Sequence, residues 1–300
     1  MILLVLLACG GAPNKAATDD TSAAMPSEYL VDDPAPITLN LSGEEAGAAI
    51  DEVFGRVIPS QGAVVFDAYD EVMTYADGVC PGSSATADTE GTMWNATCTA
   101  ASGASYTGFI STFRGQQGEV YASNMRGEAT VTTPDGARLV VAGDVHTTVQ
   151  ETQHKWYSSV DGVLSYDGPA GQGTWLADTV AVSVAYTLLL DANDHLVRAE
   201  VEGFFGPLDG AVSAINFDGI EVAHTLDNPC PEEPAGIISV RDANGTWGEL
   251  VFDLTFAPDG SGSIEDGLCD GCGTLWFDGV AVDTVCVDPQ PLYDAQTPPW

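Results

Sequence analysis

The chain has 300 residues, of which 44 are Asp or Glu and only 8 are Lys or Arg, so its formal charge is −36. Such a molecule would repel nucleic acid and anionic membrane surfaces, which excludes a nucleic-acid function and direct docking on anionic lipid. Hydrophobic residues still make up 45%, which predicts a folded core beneath an acidic skin; a chain of this length buries about three quarters of its unfolded surface, enough for one large domain with or without a small appendage.

At the N-terminus the apolar run from Ile2 to Leu7 leads into Ala8, Cys9, Gly10 and Gly11. The tetrad Leu6-Leu7-Ala8-Cys9 resembles the lipobox of bacterial lipoproteins. The resemblance implies a signal peptide over 1–8, cleavage before Cys9 and diacylation of that residue, so that Cys9 is the lipidation site and the membrane is reached through lipid. It also implies an exported protein anchored to the outer membrane, on its periplasmic side or at the cell surface. Gly10 suits onward transport, since an Asp at that place favours retention at the inner membrane. As a helix the apolar run is far too short to span a bilayer. Residues 9–37, rich in Ala, Thr, Asp, Ser and Pro without apolar period, read as the lipidated Cys and a flexible tether.

A main domain is expected over 38–228. Ser42-Gly43-Glu44-Glu45 has the spacing of a capping box, and Ala46, Ala49, Ile50, Val53 and Val57 follow at helical intervals. This predicts a helix to about Ile58, stopped by Pro59. Val64, Val65, Ala68, Tyr69, Val72, Met73 and Ala76 predict a second, closed by Asp77-Gly78. From Thr92 onward the period changes to two. Leu139, Val141, Val145 and Val149 alternate with Arg138, Asp144, His146 and Thr148, and Val180, Val182, Val184, Tyr186, Leu188 and Leu190 predict a strand near the centre of a sheet. Val197, Ala199, Val201 and Phe205 continue the scheme, and Leu250, Phe252, Leu254 and Phe256 predict one further strand. Asp-Gly occurs ten times, at Asp77, Asp135, Asp161, Asp167, Asp209, Asp218, Asp259, Asp266, Asp270 and Asp278, and most of these pairs are expected at tight hairpin turns. The fold class is therefore mainly β: a long curved antiparallel meander, as a half-barrel, barrel or wrapped sheet, with the two helices covering its concave face.

Residues 229–300 read as a Cys-rich, disulfide-pinned β subdomain and C-terminal tail that continue the sheet. Cys80, Cys98, Cys230, Cys269, Cys272 and Cys286 form an even set, which in an exported chain predicts three disulfides. Proximity pairs Cys80 with Cys98. A three-residue hairpin loop centred on Gly279 would set Cys272 opposite Cys286, leaving Cys230 for Cys269. Cys269-Asp270-Gly271-Cys272 also has the spacing of a zinc half-site or a redox dithiol, but its turn-rich, strand-like surroundings favour structural bridges. The stretch from Gly236 to Trp247, with Cys269-Asp270-Gly271-Cys272-Gly273 and Val285-Cys286-Val287-Asp288, resembles a tail of predicted β-rich lipoproteins of deltaproteobacterial and myxobacterial type. That family is uncharacterised, and the resemblance implies no activity.

The chain carries no Gly-x-Ser-x-Gly, His-Glu-x-x-His, phosphate-binding loop or EF-hand spacing, so no catalytic and no metal residue is assigned. His146 and His154 share strand parity and would make a metal pair only with a third ligand. Calcium would find hard oxygens at Asp191, Asn193 and Asp194, or at Asp266 and Asp270, although turn chemistry accounts for the same residues. Trp94, Trp156, Trp175, Trp247, Trp276 and Trp300 offer a stacking surface for a carbohydrate ligand, against which stands core packing. A membrane barrel ending on Trp300 is opposed by Pro298 and Pro299. The expectation is a lipid-anchored cell-envelope protein with a non-enzymatic structural or ligand-binding role. One alternative is a carrier holding lipid or another apolar ligand in a half-barrel, which predicts an apolar cavity of several hundred Å³, on the order of a typical ligand pocket. The other is a secreted hydrolase, which predicts two carboxylates converging in a cleft.

Overall fold

Ser42 caps the first helix, α1 (Gly43–Arg56), in the reciprocal way its spacing predicts. The Glu45 N–H donates to Ser42 Oγ at 3.3 Å, while the Glu45 carboxylate accepts the Ser42 N–H at 2.9 Å and its hydroxyl at 2.7 Å. These bonds hold the Glu45 carboxyl below its ordinary range. The second helix, α2 (Gln61–Met73), leads to a corner at Asp77. There one carboxylate oxygen accepts the N–H groups of Val79 and Cys80, and the other reaches the Ala101 N–H at 2.7 Å.

The computed structural model describes residues 38–56, 61–85, 91–150, 153–177, 180–191, 196–223, 230, 233–256, 262–264 and 269–293. All belong to one unit, Asp32–Trp300. Cys9, the signal peptide, nearly all of the tether and the expected end of the first helix at 57–58 lie outside the described residues.

After α2 come β1 (Ser83–Ala85), β2 (Thr92–Thr99), β3 (Ser105–Gln117), β4 (Val120–Thr132), β5 (Arg138–Gln150) and β6 (Lys155–Tyr166). Two short 3-10 turns, Pro169–Gly171 and Trp175–Ala177, precede β7 (Val180–Leu190), β8 (Leu196–Gly206) and β9 (Val212–Ala223). The Cys-rich block supplies β10 (Ala235–Asp242), β11 (Trp247–Phe252), β12 (Leu254–Phe256), β13 (Gly262–Ile264), β14 (Cys272–Phe277), β15 (Val280–Cys286) and a short α3 (Gln290–Tyr293). Each strand from β1 to β11 pairs antiparallel with the next, after which β14 and β15 complete the path; β1 and β15 are its open edges. The mainly β meander with two leading helices is thus as expected, and β10 pairs along β9 so that the Cys-rich block continues the same sheet.

The helices lie within the curve of the sheet. α1 packs on β9 and β15, α2 on β4, β5 and β6, and α3 on α1 and β8. Strands far apart in the sheet order therefore face neighbouring helices, which requires the sheet to wrap around them. Ile50, Val53 and Phe54 of α1 and Val65, Ala68 and Val72 of α2 join Leu139, Val141, Val145, Val160, Leu164, Val182, Val184, Ile215 and Phe217 in one buried cluster. Phe54 stacks on Phe217 with ring centroids 5.6 Å apart. Gly47 lets α1 sit flush on the last strand, since a Cβ there would fall 2.6 Å from the Cys286 carbonyl oxygen.

Three local expectations need correction. Asp161-Gly162 and Asp218-Gly219 are not hairpin turns but lie within β6 and β9. Gly162 faces Gly143 across the β5–β6 ladder, and Gly143 faces Gly127 across β4–β5. Gly143 and Gly162 take φ of 157° and 146°, and a Cβ on Gly143 would lie 2.7 Å from the Gly162 Cα. This side-chain-free row brings three strands together and lets the ladder coil. Asp218-Gly219 marks a bulge against β10, where the register shifts between Ala235 and Ile237. Leu250 to Phe256 is two strands, because the chain bends at Asp253 and β12 leaves to pair with β13. Thr147, on the apolar side of β5, is buried and shares a 3.2 Å hydrogen bond with Ser158.

The disulfides are Cys80–Cys98, Cys230–Cys269 and Cys272–Cys286. Cys272 does stand opposite Cys286, but by a different route from a three-residue loop. Asp278-Gly279 is a two-residue turn closing Phe277 on Val280, and a bulge that leaves Val282 unpaired on β15 moves Leu275 opposite Asp283. Cys269 and Cys272 bond different partners, so neither a zinc half-site nor a redox dithiol is formed.

Candidate functional site

α1 and α2 pack against the concave side of the sheet, and among the described residues a cavity lies where α1 passes the near ends of β7, β8 and β9. The buried 3-10 turn at Trp175 and Leu176 sets the indole against this end of the core. Trp175 is 1% exposed and meets Phe205 edge to face with centroids 6.2 Å apart. Val180 opens β7, Phe205 is the next-to-last residue of β8 and Val212 opens β9, so three strand ends and Val53 of α1 supply apolar lining. Opposite, α1 presents Ala48 and Ala49, whose short side chains leave room, with Ala177 and Ala211 doing the same beside the strands. The result is a cavity of about 750 Å³, within the roughly 300–1,000 Å³ range of small-molecule sites.

The rim is acidic. Glu45 and Glu52 stand on α1, and Asp209 sits in the β8–β9 connection beside Pro207 and Leu208. The Trp175 indole N–H has no hydrogen-bond partner among the described residues, an unusual state for a buried donor. An open cleft lined about equally by apolar and polar surface can hold a ligand with a hydrocarbon part and a polar end.

A second hollow, of about 340 Å³, lies over β6 to β9 and includes Tyr157, Thr187, Arg198, Glu200 and Glu221. Glu200 faces Glu221 across the β8–β9 ladder. Arg198 Nη2 donates to both carboxylates at 2.7 Å. Burial raises the Glu221 carboxyl above its usual range, against the pull of the Arg198 guanidinium. Two carboxylates therefore converge as the hydrolase alternative requires, but one guanidinium occupies both.

Known protein families, curated proteins and solved structures offer no match to this chain.

The histidine pair is not formed along one strand. β5 ends at Gln150, and His154 lies in the turn before β6 with φ of 48°. His146 instead lies near the Tyr157 ring at 5.9 Å, and burial lowers its imidazole from the ordinary value. His195 and His224 are outside the described residues, as are Asn193, Asp194 and Asp266 of the calcium turns. Asp270 accepts the Cys272 N–H at 3.1 Å. Among the described residues no three His, Cys, Asp or Glu side chains gather as a metal site, and no helix is long and apolar enough to cross a membrane. The described tryptophans do not gather on the surface: Trp94, Trp156 and Trp175 are core residues, and Trp276 is 38% exposed. Trp300 is outside the described residues.

Sequence reading missed Glu52, Asp209 and the part played by Trp175 in this cavity. Its signal was present only in retrospect: adjacent alanines on a helix that otherwise buries large residues, beside an acidic turn following a strand.

Proposed function

We propose that this protein binds an apolar or amphiphilic small molecule in the cavity between α1 and the ends of β7–β9, as an exported protein anchored to the cell envelope through a lipid on Cys9. The cavity carries the reading, because its volume of about 750 Å³ is that of a small-molecule site and Val53, Trp175, Val180 and Phe205 offer an apolar ligand a contact surface there. The Trp175 N–H, which has no partner among the described residues, supports it. Three disulfides suit an oxidising compartment, and the lipobox-like Leu6-Leu7-Ala8-Cys9 supports the anchor. The role is binding or carriage without chemistry. Glu200 and Glu221 are the best residues for a hydrolase, yet their shared Arg198 favours a cross-strand clamp.

The test is titration of the membrane-extracted, full-length protein with decyl glucoside below its micelle concentration, followed by tryptophan fluorescence and calorimetry. Saturable one-to-one binding is expected, and Ala48→Trp, which fills the cavity from the exposed side of α1, should weaken it at least tenfold. Absence of saturable binding would remove the cavity from consideration. Intact mass of the same preparation should show a diacylglyceryl adduct on Cys9, whereas an unmodified N-terminus retaining Met1 would sink the anchor.

A further inference from the structure

We infer that the Cys272–Cys286 disulfide is a reducible latch on the cavity: its cleavage loosens β15 and the helix that rests on it, and so weakens ligand binding. The last step rests on the cavity being a ligand site. Of the three disulfides, this is the one with no buried half. Cys80 and Cys230 are 3% and 1% exposed, whereas Cys286 is exposed and Cys272 half-buried. The bridge also lies at the margin of the fold. β15 is an open edge of the sheet, paired on one side with β14, and of its residues only Val285 is buried. An exposed bridge is the kind that a thiol reagent reaches and opens first.

Cleavage takes a dithiol as reductant. One of its thiolates attacks Cys286 Sγ, forming a mixed disulfide and expelling the Cys272 thiolate. The second thiolate then displaces Cys286, so the reagent ends as a disulfide and both cysteines, after taking up protons, as thiols. The β14 ladder and the buried Val285 still hold β15, so the strand frays and does not leave the sheet.

Contacts of α1 carry this change to the cavity. The Gly43 N–H donates to Asp283 at 2.7 Å, Gly47 lies against the Cys286 carbonyl, and Asp51 accepts the Asp288 N–H at 2.6 Å. All three partners fall within residues 283–288, the stretch that the bridge ties to β14. Glu45, Ala48 and Ala49, on the same turns of the helix, line the cavity. Phe54, stacked on Phe217 of β9, holds the other end of α1. Opening the latch therefore loosens one wall of the cavity while the core stays packed.

The test is differential alkylation of the folded, full-length protein during titration with dithiothreitol, mapped by peptide mass. Cys272 and Cys286 should be labelled together at a concentration that leaves Cys80–Cys98 and Cys230–Cys269 intact. In the protein so reduced and alkylated, and in Cys272→Ser with Cys286→Ser, the amides of α1 and β15 should exchange faster with deuterium while β5 and β6 stay protected. Decyl glucoside should then bind at least about fivefold more weakly, the low end of ordinary coupling between sites. Earlier labelling of another bridge, or opening of all three together, would overturn the latch, as would faster exchange throughout the sheet, which marks a purely structural bridge. Unchanged exchange in α1, or unchanged affinity for decyl glucoside, would overturn its link to the cavity. Failure of decyl glucoside to bind the oxidised protein would remove the cavity reading itself, and the labelling order with the exchange of α1 would still decide whether the bridge acts on the helix.

Discussion

Glu233 sits apart from the acidic skin: it is 1% exposed, beside the buried Cys230, and accepts the Gly271 N–H at 2.7 Å. Burial is the main cause that pushes its carboxyl up to about 7, with the Gly271 bond pulling the other way and Asp270 adding to the rise. A carboxyl whose folded value is raised stabilises the fold most below its unfolded value, near 4.5, and that contribution is lost as pH climbs through about 7. Glu233→Gln keeps an acceptor for Gly271 and removes the titration. The stability difference between the variant and the native protein should therefore grow from near zero at pH 4 to somewhere between 1 and about 3 kcal/mol in favour of the variant at pH 8, read by urea unfolding. A difference that does not vary with pH would mean that Glu233 is ionised in the fold throughout. Nothing in the sequence singled this residue out among 44 acids, because burial of one acid depends on a disulfide and a turn brought together from 39 residues apart.

Helix α1 shows how an element inverts an intrinsic preference. Glycine to alanine inside a helix ordinarily stabilises by about 1 kcal/mol. At Gly47 the added methyl would meet the Cys286 carbonyl oxygen at 2.6 Å, so Gly47→Ala should instead lower stability by about 1–3 kcal/mol, the usual cost of overpacking. A raised thermal midpoint in that variant would contradict the close docking of α1 on β15. The capping box of this helix was legible in four residues, and so was the burial of Val180, Val182, Val184, Tyr186 and Leu188, since each follows from local period. The misread Asp-Gly pairs had the opposite cause. Gly162 answers to Gly143 on the neighbouring strand, a partner no local pattern names, and the dipeptide that makes a hairpin at Asp278 makes a coiling point at Asp161. The cavity was hidden for the same reason, since its walls come from one helix, one 3-10 turn and three strand ends.

For the molecule as a whole, meander topology was readable because successive strands pair with their neighbours, while the wrap around the helices was readable only as a geometric need of so many strands. The bridge Cys230–Cys269 spans the region where β12 and β13 leave the main path. Its removal by Cys230→Ser with Cys269→Ser should cost about 4 kcal/mol in the chain-entropy account and should expose the Cys-rich block to limited proteolysis before the rest of the sheet. Uniform protection across the chain would show that the bridge contributes little. The contact of the first helix with the last strand also governs timing. The Gly43 N–H donates to Asp283 at 2.7 Å, and the Asp288 N–H to Asp51 at 2.6 Å, across 240 and 237 residues. Such partners meet only after a long chain closure, which slows folding. If the chain is exported as proposed, a polypeptide threaded N-terminus first through a translocation pore would deliver α1 well before β15, so the contacts that join them could form only after β15 had emerged, and the chain would stay pliable during passage.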